Sequence, residues 1–192
     1  MSRDKPKDFI VDGTGMRIGI VAARYNQKRV DALLSNVLTT LDEAGVELDD
    51  IETVRVPGSN EIPYACSMLA LGEEFDALIG LGLVLAGDTN HHEMIAMSTA
   101  AALHRIAEEN EVPVINGIVV VNNDAQALAR CEGELNRGKE FAKAALEMAE
   151  LNRRLKARAI ESDQQMRQLY EEMDSFIDDL VDEDDDGEDW KR

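Results

Sequence analysis

A chain of 192 residues is long enough for one domain with a sizeable buried core plus an appendage. Hydrophobic residues make up 44% and aromatics only 4%, which suits a globular core packed with aliphatic side chains. Twenty Lys and Arg against 39 Asp and Glu give a formal net charge of −19, which argues against a binder of the nucleic-acid backbone.

The charge is unevenly spread: residues 161–192 hold 14 acids against 3 bases. Cys66 and Cys131 are too few and too far apart for a disulfide framework or a Cys-based zinc site, and read as reduced thiols. The charged start MSRDKPKDFI has no apolar stretch behind it, so no signal peptide is expected, and no apolar run reaches membrane-spanning length. These features point to a soluble cytoplasmic protein.

Residues 1–15 read as a loose N-terminal arm, with the short apolar patch Phe9 to Val11 able to add a strand. MRIGIVAARYN is a β-rich run ending in a polar turn. In QKRVDALLSNVLTTLDEAG, the apolar residues Val30, Leu33, Leu34, Val37 and Leu41 fall at helical spacing, and Gly45 closes the helix. IETVRVPGSN is a second strand running into Pro57-Gly58. EIPYACSMLALGEEF is a helix, with Pro63 tolerated in its first turn.

DALIGLGLVLAG is apolar at nearly every position, as a parallel strand covered on both faces must be. DTNHHEMIAMSTAAALHRIAEEN is a third helix, VPVINGIVVV a fourth buried strand, DAQALARC a short helix, and ELNRGKEFAKAALEMAELNRRLKAR a long one. This alternation predicts an α/β fold with a parallel sheet and right-handed crossovers. In the tail, Met166, Leu169, Tyr170, Met173, Phe176, Ile177, Leu180 and Val181 form one stripe of spacing near 3.5, an amphipathic helix suited to a partner or to its own oligomer. DEDDDGEDWKR beyond it reads as a solvated, disordered run. The expected division is an arm at 1–15, an α/β domain at 16–158 and an acidic extension at 159–192.

Ligands of such sheets sit outside the carboxyl ends of the strands. The loops RYN, PGSNE, AGDTNHH and NGIVVVNN are therefore the candidate site. Asp88 or Thr89 is a natural helix cap, and a helix start of this kind gathers backbone N–H groups suited to phosphate. A histidine beside it is placed to move a proton on a phosphorylated or carbonyl substrate. Adjacent helical residues point about 100° apart, so His91 and His92 do not readily share one metal ion, and no metal is expected. The alternative is a capped helix start with two exposed imidazoles. Taken alone, these residues support a generic α/β phosphate-binding enzyme.

The segments VRVPGSNEIPYA, LGLVLAGDTNHHEMIA, VPVINGIVV and ALARCEGELNRGKEFAKAALEMAELNR follow in a telling order. With their motifs PG-x-x-EIP, G-[DE]-T-x-H, VPVI-x-G and N-[KR]-G…ALEMA, the chain resembles the 6,7-dimethyl-8-ribityllumazine synthase family over about residues 16–155. The resemblance implies a three-layer, flavodoxin-like domain with a four-stranded parallel sheet. It also implies assembly from pentamers, extending in the family to decamers or sixty-subunit icosahedral shells, with riboflavin synthase or another cargo protein as a candidate partner. The implied reaction is condensation of 5-amino-6-(D-ribitylamino)uracil with 3,4-dihydroxy-2-butanone 4-phosphate. It releases phosphate and water, without a cofactor, in riboflavin biosynthesis, and the site lies between neighbouring subunits.

Carried over by position, His91 matches the proton-transfer histidine, and Asp88 and Thr89 the phosphate-holding turn. Arg130 matches the arginine that completes the phosphate site, although read alone it would be an exposed helix residue. Ser59, Asn60 and Glu61 match the loop for the ribityl chain and pyrimidine. Tyr25, otherwise a core or interface tyrosine, matches the residue that stacks on the pyrimidine, with Asn26 beside it. Leu83, Val84 and Leu85 match the strand end lining the pyrimidine pocket, and Arg137 a basic residue near the ligand. His92 has no invariant role and is read as a pocket-edge residue. The family usually has an aromatic at Asn60, phenylalanine at Asn116 and arginine at Ala86, and a lysine is lost near Glu134. These departures motivate a second reading: a non-catalytic relative that forms a shell or binds a lumazine or flavin.

Overall fold

The computed structural model describes residues 11–72, 74–133 and 135–183, with side chains described through residue 173. Aliphatic runs form the strands β1 (Ile18–Ala23), β2 (Ile51–Val56), β3 (Ala77–Leu85) and β4 (Val114–Val121). They pair in parallel as one four-stranded sheet in the order β2-β1-β3-β4. The helices are α1 (Gln27–Glu43), α2 (Ile62–Gly72), α3 (His91–Asn110), α4 (Asp124–Cys131) and α5 (Arg137–Glu183). The α/β alternation expected from the sequence is the one found.

Successive strand residues feed two cores, because their side chains alternate between faces. Ile18, Ile20 and Ala22 of β1 and Ala77, Ile79 and Leu81 of β3 meet Val30, Leu33, Val37 and Leu41 of α1, and Ala142, Ala145, Leu146 and Ala149 of α5. On the opposite face, Val21, Ala23 and Leu78 pack with Ile62 and Cys66 of α2 and Leu103 of α3. Every residue of β1 is buried, and β3 is buried through Val84, as a strand sandwiched between helix layers requires. Each fully buried leucine, such as Leu33 or Leu41, contributes about 1.5–3 kcal/mol relative to exposure. Gly45 closes α1 at φ 89°, a conformation natural to glycine, and the Val46 N–H returns to the Leu41 carbonyl.

Several local expectations change. β4 is not buried throughout: it is an edge strand, and Asn116 and Val120 are exposed while Gly117, Val119 and Val121 are covered. Residues 11–15 are held rather than loose. Val11 is buried in the α1/α5 core, the Gly13 N–H donates to Ala44, and Asp12 accepts from both the N–H and the hydroxyl of Thr14. Those two donors hold the Asp12 carboxyl below its usual range. The rest of the arm, including Phe9, lies outside the described residues.

The long helix and the tail helix, read separately from sequence, are one uninterrupted α5 of 47 residues. It starts at Arg137, where the Asn136 side chain accepts from the Lys139 N–H. The chain divides into two compact units, Met1–Asn152 and Arg153–Arg192. In the second unit, residues 153–173 are all exposed. The side chains of Phe176, Ile177, Leu180 and Val181, and the run from residue 184 onward, lie outside the described residues. No helix among the described residues is long and apolar enough to cross a membrane.

Candidate active site

Three loops leave the carboxyl ends of β1, β2 and β3 and meet around a cavity of about 670 Å³. After β1, the Arg24 and Tyr25 N–H groups donate to the Val56 and Pro57 carbonyls, which ties the first loop to the second. Tyr25 remains 74% exposed on the cavity wall. Asn26 turns the chain into α1 in the left-handed region (φ 56°), and its side-chain amide donates to the Leu83 carbonyl at 2.9 Å. Asparagine tolerates this backbone better than most residues because its short polar side chain bonds locally.

After β2, the Glu61 carboxylate accepts from the Gly58 N–H at 2.8 Å, which closes the PGSNE turn on itself. Ser59 is buried against Gly82 of β3, where a Cβ would lie only 2.4 Å from the Ser59 hydroxyl. Glycine at 82 thus lets the turn sit directly on the sheet. Asn60 and Glu61 are exposed and line the cavity.

After β3, the Ala86 N–H stays bonded to Val121, and the chain then bends through Gly87 to Asn90. The cap of α3 is Asn90, not Asp88 or Thr89, and it makes no side-chain capping bond. Its carbonyl accepts from Glu93 and Met94, so His91 is the first helical residue. The first N–H groups of a helix lack intrahelical partners and suit an anion. His92 Nδ1 lies 3.1 Å from the Thr89 carbonyl, to which its protonated form donates. His92 therefore braces the loop that carries Thr89.

The cavity gathers Tyr25, Asn26, Ser59, Asn60, Glu61, Leu83, Val84, Leu85, Thr89 and His91 of the sequence-derived site. Gly58, Gly87, His92 and Ile95 join them. Ile95 lies four residues after His91 on α3, one helical turn away, so the helix period alone would have found it.

Four expected residues do not line it. Asp88 is exposed in the turn beside it. Asn116 accepts from the Ile118 N–H on exposed β4 backbone. Arg130 donates to the Gln126 carbonyl one turn earlier in α4, and Arg137 pairs with Glu140 at the start of α5. No lysine or arginine thus lines the cavity among the described residues. Its ionisable side chains are Glu61, His91, His92 and the Tyr25 phenol. Among the described residues, no three His, Cys, Asp or Glu side chains converge at metal-binding spacing. Cys66 and Cys131 are buried outside the lining, and desolvation pushes their thiols up to about 12 and about 11.

A family model described as 6,7-dimethyl-8-ribityllumazine synthase matches residues 15–153. The 6,7-dimethyl-8-ribityllumazine synthase of Cupriavidus metallidurans is 42% identical over 141 residues, covering 73% of this chain and 82% of that protein. That of Paraburkholderia phytofirmans is 40% identical over 141 residues, with 73% and 82% covered. The protein of the same name from Thermococcus kodakarensis is 38% identical over 144 residues, with 75% and 91% covered. The matched span contains all three cavity loops, α4 and the start of α5, and on this ground the chain belongs to the 6,7-dimethyl-8-ribityllumazine synthase family.

Proposed function

We propose that the chain is a 6,7-dimethyl-8-ribityllumazine synthase of riboflavin biosynthesis. It joins 5-amino-6-(D-ribitylamino)uracil to 3,4-dihydroxy-2-butanone 4-phosphate and releases phosphate and water. The observation that carries this reading is the convergence of the PGSNE, RYN and AGDTNHH loops on one cavity within the span matched by the family. Tyr25 offers its exposed ring to the pyrimidine, while Ser59, Asn60 and Glu61 face the ribityl chain. Leu83, Val84 and Leu85 form the apolar floor. The Asp88-Thr89 turn and the start of α3 hold the phosphate, and His91 moves protons during imine formation and phosphate loss.

A dianionic phosphate calls for a fixed cation, and among the described residues of one chain no lysine or arginine lines the cavity. We assign that role to Arg130 of a neighbouring copy, with that copy's Asn116 and Arg137 closing the pyrimidine side. The working unit is then an oligomer, for which the family resemblance supplies the pentamer as building block, acting in the cytoplasm, where Cys66 and Cys131 stay reduced. Asn60 supports a second reading, a retuned ligand-binding relative, because it lines the cavity where the family usually carries an aromatic.

The experiment mixes His91→Ala chains with Arg130→Ala chains after each alone has been assayed for the fluorescent lumazine. Both variants should be nearly inactive, and co-assembled mixtures should regain activity at interfaces that combine an intact His91 with an intact Arg130. Wild-type protein that binds a lumazine or flavin without turnover favours the second reading. Mixtures as inactive as their parents overturn the shared site.

A further inference from the structure

The second unit presents an apolar stripe with no counterpart in the site. Along α5, Leu155, Met166, Leu169 and Met173 are each about half exposed or more. With Ala159 and Ser162 they keep the alternating three- and four-residue steps of a coiled-coil seam, and Phe176 and Leu180 continue that spacing in the sequence. α5 is helical over this whole stretch, from Arg137 to Glu183. The charge along it is segregated. Arg153, Arg154, Lys156 and Arg158 cluster at one end and Asp178, Asp179, Asp182 and Glu183 at the other, with Glu161, Asp163, Arg167, Glu171, Glu172 and Asp174 between them.

We propose that this segment of α5 pairs antiparallel with the same segment of a second copy of the chain. The register follows from the spacing. Laying position 155 across from 180 and position 166 across from 169 keeps every seam position facing a seam position. That register sets residues 153–158 of one copy against residues 177–182 of the other, so the basic end of each helix meets the acidic end of its partner. Parallel pairing would instead lay basic end on basic end and acidic end on acidic end, which repels. The segregated charge thus selects both the occupant, a second copy, and its direction.

The test uses full-length chains carrying Ala159→Cys or Phe176→Cys, mixed under mild oxidation and analysed by peptide mapping. The native Cys66 and Cys131 are buried and do not interfere. The expected product is a 159–176 disulfide between copies. Met166→Glu with Leu169→Glu should abolish it. Reversal of Arg153, Arg154, Lys156 and Arg158 to glutamate should also remove most of it, and adding Asp178→Lys, Asp179→Lys and Asp182→Lys to the same chain should restore it. Disulfides of 159 with 159 and of 176 with 176 mean parallel pairing and overturn the proposal. So does the lack of any tail-to-tail disulfide in chains whose circular dichroism shows the helix intact.

Discussion

The side-chain amide of Asn26 donates to the main-chain carbonyl of Leu83 across 57 residues of sequence, and so fastens the loop after β1 to the end of β3. Asn26 also sits at φ 56°. Two costs can therefore be separated. Asn26→Gly keeps the backbone geometry but loses the hydrogen bond, about 0.5–1.5 kcal/mol, and adds the smaller entropic cost of ordering a glycine. Asn26→Ala adds about 1–2 kcal/mol of left-handed strain. Urea denaturation should rank wild type above Asn26→Gly above Asn26→Ala. Equal stability of the two variants would mean that the backbone at 26 relaxes.

The adjacent histidines should separate in kinetics. His91 opens α3 and lines the cavity, so its loss as a proton-transfer group should lower kcat by about 10²–10⁴. His92 holds the Thr89 carbonyl, so if this turn binds phosphate as proposed, His92→Ala should loosen it and raise KM for the phosphorylated substrate more than it lowers kcat. His92→Gln, which can still donate, should recover part of that loss. Equal loss of kcat in both variants would assign His92 to the chemistry as well.

Much of this arrangement was legible in the residues. The strands and helices followed from apolar runs alternating with helical spacing, and three of the four candidate loops, RYN, PGSNE and AGDTNHH, from the rule that places ligands at strand carboxyl ends, whereas NGIVVVNN does not line the cavity. Two kinds of detail were not. The cap of α3 fell on Asn90 because the chain turns through three residues after Gly87 before the helix begins at His91, and local capping preference carries no information about that path. β4 read as buried because a Val- and Ile-rich run looks the same at the edge as in the middle, and only the pairing order tells them apart. The unlined positions Asn116, Arg130 and Arg137 have a different origin: they were carried over by motif position, and a motif match does not say which cavity a side chain lines.

Asn60 stands in the cavity where an aromatic is usual in the family, so Asn60→Phe should tighten the pyrimidine substrate. A stacking ring contributes roughly 0.5–1.5 kcal/mol beyond the area it buries, a gain of about 2- to 12-fold in KM. Steady-state kinetics with the pyrimidine varied measure it. An unchanged or higher KM would show that the side chain at 60 does not reach the ring.

Gly82→Ala should damage the site from beneath. The new Cβ would meet the Ser59 hydroxyl at 2.4 Å and Ile62 at 3.2 Å, so the turn bearing Ser59, Asn60 and Glu61 must lift off the sheet. Overpacking of this kind costs about 1–3 kcal/mol. The activity loss should exceed that of a surface variant with the same melting temperature, because the displaced turn lines the cavity. A fully active, equally stable Gly82→Ala protein would show that Ser59 rotates away freely.

The two thiols should tie stability to alkaline pH. Burial pushes Cys66 up to about 12 and Cys131 up to about 11, against an ordinary thiol value of 9.0. Because the folded chain favours the neutral thiols, their contribution is fully present below pH 9. It is lost as pH rises from about 9 through 11 and 12, where the unfolded chain ionises first. Native protein at pH 8 should react with a thiol-specific reagent far more slowly than unfolded protein, since the thiolate is the nucleophile and both sulfurs are covered. Cys66→Ala with Cys131→Ala should flatten the alkaline fall in stability, even though the emptied volume lowers stability at neutral pH. If the fall between pH 9 and 11 keeps its slope in that variant, the two thiols do not carry it.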